Sequence, residues 1–497
     1  MANITFLNIT IPRDILNETL QVINKTREGP VVISNAPLLP EWLQNTLILI
    51  YLALLLLSLL LISHYIYYAR HAVRESHADP PQASGGFLSI IVPVKNEDVD
   101  TVTAAVKRLA ALPCPDAEVV IVSDDPPEKF EKLKEAVDAL GLTNVRILRR
   151  PNPVGYKGVA LNWAAERARG DVLLFLDVDS VPPLDMCARA RAVGDREILF
   201  LGWDGYAAVN TPIASLQLFL YKYLLYHLAI LGRFNAGHPL LALGSGIAVR
   251  KKFFEEIGGF CNCTADDYDI SLRAYVHGGQ VRYTPGPPVY VEVPAGYNAF
   301  KRQYARWTYN SAYVFAKYAS ALFSLKMPKS HKLSLFLNVA THPLMVATTF
   351  AIMAAGLAMG YAGILLPPIY VLMAQAALFA LALAQVYYVY KIAKRDGYSF
   401  WTVVKRMAQS ASLLLILSPY LTFYVLLGLF KRRIRWYVTP KGLSALAKGA
   451  LGLYEALMAA LLSMLVAIGV YLGNWVLASN SAFVLVVLAY VLLKIAK

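Results

Sequence analysis

Val172-Leu173-Leu174-Phe175-Leu176-Asp177-Val178-Asp179 is an apolar run of strand length that ends abruptly in two carboxylates. A short continuous apolar run of this kind is the pattern of a strand buried on both faces, as in a parallel sheet. In an extended chain residues i and i+2 point to one side, so Asp177 and Asp179 face the same way at the strand's end. Two hard oxygen ligands there can share a Mg²⁺ or Mn²⁺ that also binds a diphosphate. By itself D-x-D is a weak motif, because a polar turn closing a strand explains it more often.

Three further stretches read as buried strands: Phe87 to Val94, Glu118 to Ser123 and Val145 to Leu148. Helical segments with Lys, Arg and Glu on one face separate them, which predicts βαβ units and a largely parallel sheet over residues 85–300. Such sheets bind ligands at the carboxyl ends of their strands. The flanks are of another kind. With 497 residues, 57% of them hydrophobic, and a mean hydropathy of +0.47, the chain is too apolar for a soluble protein and requires an α-helical transmembrane domain.

Thr46 to Tyr68 is of spanning length, and Arg70, His71 and Arg74 follow it. That places the C-terminal end of a helix over 43–70 in the cytoplasm. Lacking a basic leader and a small-residue cleavage site, the run is an anchor rather than a cleaved signal. Residues 1–42 then lie outside, where the sequons at Asn3, Asn8, Asn17 and Asn24 are reachable by glycosylation. Leu333 to Leu357, Ile364 to Tyr388, Ala450 to Leu472 and Ala482 to Leu493 are further spans of a membrane domain over 333–497. The stretch near 409–430 has basic clusters on both sides and is read as a re-entrant or interfacial helix broken near Pro419. The outcome is five spans, N-terminus outside, catalytic domain and C-terminus cytoplasmic. The net charge of +14 gathers beside the spans, which points to lipid headgroups and not to nucleic acid. Cys114, Cys187, Cys261 and Cys263 fit neither a disulfide framework nor a zinc site and are read as reduced thiols.

Other groups fall at the same edge of the expected sheet. Ser123-Asp124-Asp125 closes the second strand, where acids can accept hydrogen bonds from a base or ribose, although a solvated turn explains them equally. Gly155-Tyr156-Lys157-Gly158-Val159-Ala160-Leu161-Asn162 leads into a helix whose cation and N-terminal amides suit a phosphate. Leu243-Gly244-Ser245-Gly246 lets backbone approach a compact group, and Gly258-Gly259-Phe260 marks a turn. Ala265-Asp266-Asp267-Tyr268-Asp269 opens a helix with three acids, of which the helix dipole accounts for one. Gln303, Arg306 and Trp307 share one helical face, in a segment of interfacial helices over 301–332.

In this order the elements resemble the membrane-integrated branch of glycosyltransferase family 2, with cellulose synthase and hyaluronan synthase among its members. Val92-Pro93-Val94-Lys95-Asn96-Glu97 is similar to its opening strand motif, and Asp124 and Asp125 to its nucleotide-binding acids. Lys157 to Asn162 resembles the K-A-G-A-L-N helix start, Ala265-Asp266-Asp267 the T-E-D element, and Gln303, Arg306 and Trp307 the Q-x-x-R-W motif. Trp436 to Lys441 resembles a late cytoplasmic loop. Ala265 and Asp266 depart from Thr and Glu, which leaves the aspartate in place and loosens its support.

The resemblance implies a GT-A (Rossmann-like) fold and an inverting single displacement. Asp267 would be the general base, ionised at an ordinary carboxylate pKa of about 3.9. Asp179 and Asp177 would hold Mg²⁺ or Mn²⁺, with Asp177 also at the donor ribose. Pro93, Asn96, Glu97, Asp124, Asp125, Lys157, Asp177, Gln303 and Arg306 would bind the nucleotide sugar. Trp307, Gly244, Ser245, Gly246 and Asp266 would meet the acceptor. A small membrane part favours hexose addition, from GDP-mannose or a UDP-sugar, to a lipid-linked glycan. The Q-x-x-R-W motif favours a processive synthase that extrudes its polymer. A non-catalytic scaffold is disfavoured, since every expected acid is present.

Overall fold

The computed structural model describes residues 39–74, 85–366, 368–434, 440, 442 and 452–496, together with a short antiparallel pairing of Thr5–Phe6 with Ile9–Thr10. The N-terminal sequons and most of Trp436 to Lys441 lie outside the described residues.

Aliphatic runs buried on both faces form the sheet. β1 (Leu88–Val94), β2 (Ala117–Ser123), β3 (Val145–Arg149) and β4 (Val172–Phe175) arise where the sequence predicts them. With β5 (Glu197–Phe200), β7 (Ile247–Arg250) and β8 (Gln280–Tyr283) they make a seven-stranded sheet in the order β8-β5-β7-β4-β1-β2-β3. All its pairings are parallel except the two made by β7, which runs antiparallel between β4 and β5. β6 (Trp203–Tyr206) and β9 (Val289–Glu292) form a separate parallel pair. Helices α2 (Val99–Ala110), α3 (Pro127–Asp138), α4 (Lys157–Arg167), α5 (Met186–Arg191), α7 (Lys251–Glu256) and α8 (Asp266–Val276) cover the sheet. This is the central mixed sheet of the GT-A type.

Seven described helices are long and apolar enough to cross a membrane. They are α1 (Glu41–Ala72), α6 (Pro212–Asn235), α10 (Lys329–Tyr361), α11 (Pro368–Ala393), α12 (Phe400–Leu429), α13 (Leu453–Tyr471) and α14 (Trp475–Lys494). Two depart from the sequence reading. α6 is half-buried and, at 1.3, has the lowest hydropathy of the seven; its middle, Leu220–Leu231, is wound as a π-helix. α12 is not broken near Pro419 but continuous. Proline removes the N–H that would bond the Leu415 carbonyl, and Ser418 Oγ donates to that oxygen instead at 2.8 Å. The Tyr454 hydroxyl donates to the next carbonyl, of Ile416, at 2.5 Å. The freed backbone is therefore satisfied by side chains, as an apolar environment demands.

The cysteines also correct the sequence reading. Cys114 is disulfide-bonded to Cys187, and Cys261 to Cys263. The long-range pair is created by tertiary packing of α5 against the loop after α2, which spacing does not reveal.

One long helix, α9 (Tyr297–Ser324), joins the two halves. It replaces the several interfacial helices expected over 301–332. A Cβ on Gly428 of α12 would stand 2.6 Å from the Tyr309 carbonyl oxygen and 2.8 Å from Ala312 Cβ, so the missing side chain lets the two backbones touch. Lys301 is buried against Glu455 of α13 at 2.6 Å, among the rings of Tyr297, Tyr420 and Tyr454. The second Glu455 oxygen accepts from the Gly452 amide. Glu455→Ala strands Lys301 as an unpaired buried cation, a change that costs about 3 kcal/mol. A clearly lowered melting temperature of the detergent-solubilised protein is expected, together with loss of activity as α9 loosens.

Candidate active site

β4 is held between β1 and β7. Asp177 and Asp179 follow it half-exposed, with Val178 buried between them. Both carboxylates line one large cavity, as the period-two argument requires. The loop is braced from beneath: Ser245 Oγ accepts from the Asp177 amide at 3.1 Å and meets Ser180 Oγ at 2.6 Å. Tyr206 donates to the Asp179 carbonyl at 3.0 Å. Ser245 and Gly246 therefore support the acids and are not among the residues lining the cavity, contrary to the acceptor role expected of them.

The motif at the start of α4 acts as a clamp. Lys157 Nζ lies 3.1 Å from Asp177 Oδ1, 3.3 Å from the Gly244 carbonyl and 3.9 Å from Asp266 Oδ2. At Gly158 an added Cβ would stand 2.5 Å from the Cys261 carbonyl oxygen, so only glycine lets α4 approach the loop before α8. Asn162 locks that loop, donating to the Phe260 carbonyl and accepting from the Phe260 amide, both at 2.8 Å. Gly258 and Gly259 turn the chain there with φ of 79° and 62°.

α8 then presents Asp266 and Asp267 to the cavity. The third acid is structural: Asp269 is buried and ion-paired with Arg273 and Lys317, with a hydrogen bond from Tyr318. Burial raises the Asp267 carboxyl to about 7, helped by the adjacent Asp266 and opposed by the Lys157 cation. Asp266 is raised too, first by burial. For Lys157, burial alone would lower the pKa, but Asp177, Asp266 and Asp267 outweigh it and hold the ammonium above the ordinary lysine range. The ordinary pKa expected for Asp267 thus gives way to a raised one, because it is partly buried next to Asp266.

Pro93, Asn96, Glu97 and Asp124 also line the cavity; Asp125 does not. Asp124 is bound by two Arg150 nitrogens at 2.7 and 2.6 Å. Asp125 is buried and accepts from the Asn96 amide at 2.7 Å, which fixes Asn96 at a φ of 60°. Gln303, Arg306 and Trp307 of α9 face the cavity together with Gly244. Gln303 accepts from the Tyr221 hydroxyl at 3.1 Å.

Trp203 and Tyr221, missed in the sequence, stack 4.9 Å apart and flank Trp307 at 5.9 and 5.8 Å. They come from β6 and α6; the aromatic pattern Trp-x-x-Tyr at 203–206 marks Trp203, and no local pattern marks Tyr221. Trp203 and Tyr221 lie nearly parallel at 26°, while Trp307 meets them at 67° and 41°, so the three rings form an apolar aromatic corner whose faces suit sugar rings.

The cavity encloses about 1550 Å³ and continues from the acids to α1, α10, α11 and α12. Residues 172–393 match the family model described as Glycosyl transferase family group 2. These residues form a glycosyltransferase family 2 domain. Among relatives of this transferase, a "Probable glycosyltransferase" of Sulfolobus acidocaldarius is 25% identical over 81% of the chain and 89% of its own length. A "Glucomannan 4-beta-mannosyltransferase 2" of Arabidopsis thaliana is 25% identical over 50% of the chain and 49% of its own. The solved structure described as "Mannosyltransferase PcManGT from Pyrobaculum calidifontis in complex with GDP-Man and Mn2+" shares the fold, with a TM-score of 0.53 and 19% identity over 78% of this chain and all of that one.

In the transferase, a group that titrates near 7 accepts a proton only once it is ionised. kcat/KM is expected to rise with pH to a plateau above about 7, whereas a carboxylate at the ordinary value gives a flat profile from about pH 5 to 8. A pH series under subsaturating donor measures this.

Proposed function

We propose that this family 2 transferase moves a hexose from a nucleotide diphosphate, with GDP-mannose the first donor to try and UDP-glucose or UDP-N-acetylglucosamine the next, onto a lipid-linked glycan at the cytoplasmic face of the cell membrane. The carrying observation is the continuity of the cavity. Its acids stand at the sheet edge, while its far walls include Leu61 of α1, Leu228 of α6 and Leu383 of α11, apolar residues of helices long enough to span. A water-soluble donor and a membrane-held acceptor can meet there. The similarity to a mannosyltransferase bound to GDP-Man and Mn²⁺ supports the donor.

In this reading Asp124 and the Pro93 to Glu97 loop receive the nucleoside, and Arg306 with Gln303 and Lys157 receives the diphosphate. Asp177 and Asp179 offer hard, half-exposed oxygens on one side of the chain, a donor set that fits Mg²⁺ or Mn²⁺. When bound, such an ion offsets negative charge on the departing diphosphate. Asp267 takes the proton of the attacking hydroxyl, and the displacement inverts the anomeric centre. Trp307, Trp203 and Tyr221 orient the acceptor sugar, and closure of the site by these rings keeps water from competing.

Asp267→Asn keeps the shape but cannot accept the proton, so transfer is expected to fall by about 10²-fold or more. Donor binding, followed as thermal stabilisation by GDP- or UDP-sugars with Mn²⁺, should persist. Full transfer by this variant would remove Asp267 from the mechanism. Chelation by EDTA is expected to stop transfer and added Mn²⁺ to restore it, with Asp179→Asn insensitive to the addition.

The plant glucomannan mannosyltransferases among its relatives favour a second reading, a processive synthase. Product length separates the two: incubation with nucleotide sugar alone is expected to give no ladder of long chains, and such a ladder would establish the second reading.

A further inference from the structure

Arg233 is a buried cation with no carboxylate beside it. Only 4% of it is exposed, and among the described residues no ion pair involves it. Its partners are neutral. Nη1 donates to the Tyr68 hydroxyl at 3.1 Å, to Ser334 Oγ at 2.9 Å and to the Ser334 carbonyl at 3.1 Å. Nη2 lies 3.1 Å from His64 Nε2, and the guanidinium sits 4.2 Å from the centre of the Tyr68 ring. Tyr68 in turn meets His238 Nδ1 and Ser334 Oγ, each at 2.8 Å. Arginine cannot accept, so the His64 ring is neutral with its proton on Nδ1. Hydrogen bonds to neutral groups position a guanidinium but leave its charge uncompensated, and an uncompensated buried charge is strongly unfavourable. A site built in this way is completed by an anion.

Its location says which anion. Gly232 packs directly on the Tyr68 backbone, which brings the end of α6 against the end of α1. Ser334 lies near the start of α10, so three helix ends converge at Arg233. Arg233, His64 and Tyr68 line the large cavity. To one side its wall is apolar and reaches Phe379 and Leu383 of α11, which are 71% and 47% exposed. To the other side stands Tyr268, next to Asp267 in sequence and an electrostatic neighbour of Arg233. The donor diphosphate has its own cations in Arg306 and Lys157.

We propose that Arg233, with His64 and Tyr68, binds the phosphoryl headgroup of a lipid-linked acceptor whose single alkyl chain runs along the α1–α6–α11 wall toward the bilayer. The headgroup then holds the attached sugar between the membrane and Asp267, with Trp307 on its face. Planar, multi-donor recognition of a phosphate is what a guanidinium does better than an ammonium. The proposal rests on the lipid-linked reading above and goes beyond it by naming the group recognised and the residue that recognises it.

The test uses the full chain in detergent and geranylgeranyl phosphate as probe, with geranylgeraniol as its uncharged counterpart. Arg233→Gln is expected to weaken binding of the phosphate by about tenfold or more. Geranylgeraniol binding and thermal stabilisation by nucleotide sugar with Mn²⁺ should stay as they are in the unaltered protein. A variant that responds normally to nucleotide sugar and binds the alkyl phosphate at native affinity overturns the inference and leaves the acceptor reading standing. If the unaltered protein ignores the alkyl phosphate yet glycosylates a soluble glycan, the acceptor reading falls and the inference with it. Displacement of the probe by equimolar inorganic phosphate identifies a free-anion site and also overturns it. Should Arg233→Gln not be recovered folded, Arg233→Lys serves: it keeps the charge without the planar fork, and binding several-fold weaker is expected, while native affinity counts against the proposal.

Discussion

The ion pair of Lys157 with Asp177, with Asp266 within 3.9 Å, is the constraint that the catalytic half is arranged around. Asp177, Asp179, Asp266 and Asp267 converge on one cavity from two distant parts of the chain, β4 and α8. Carboxylates that close raise one another's pKa and repel. Two cations, Lys157 between them and Arg306 across the cavity, make the assembly tolerable, and burial with the neighbouring Asp266 still leaves the Asp267 carboxyl raised. Everything near Lys157 serves its placement. Gly158 permits the close approach of α4, Asn162 closes the loop with two hydrogen bonds, and the Ser245–Ser180 pair fixes the acids from below.

The membrane half enters the site through α9. This helix carries Gln303, Arg306 and Trp307 on the cavity side, is drawn against α12 at Gly428 and is tied to α13 by the buried pair of Lys301 and Glu455. On the side toward the sheet, Lys317 and Tyr318 of the same helix hold Asp269 of α8. The helix that carries Gln303, Arg306 and Trp307 is thus coupled both to α8, which carries Asp267, and to the long apolar helices.

The strands were legible because burial on both faces leaves a continuous aliphatic signature, and β1 to β4 match their predicted stretches closely. The acids were legible as types at strand and helix ends. Their division of labour was not: Asp125, Ser245 and Asp269 look like site residues in the sequence and are held inside the structure by partners far along the chain. α6 escaped notice because a helix half-buried against protein tolerates Lys222, His227 and Arg233, so its hydropathy falls toward that of a soluble helix. Pro419 suggested a break that neighbouring hydroxyls repair.

Residue type and local period by themselves determined that Asp177 and Asp179 stand together at a strand end, that a mixed α/β domain lies between apolar segments, and that the chain carries the motif set of a family 2 transferase. These are near-neighbour properties, set by backbone geometry and side-chain polarity. Tertiary structure alone decided that burial and Asp266 raise the Asp267 carboxyl, that Trp203 and Tyr221 join Trp307, that the cysteines pair, and that Arg233 is buried without an ion pair among the described residues. Each of these depends on the dielectric and on charges or rings brought in from distant segments, and neither is written in the spacing of residues along the chain.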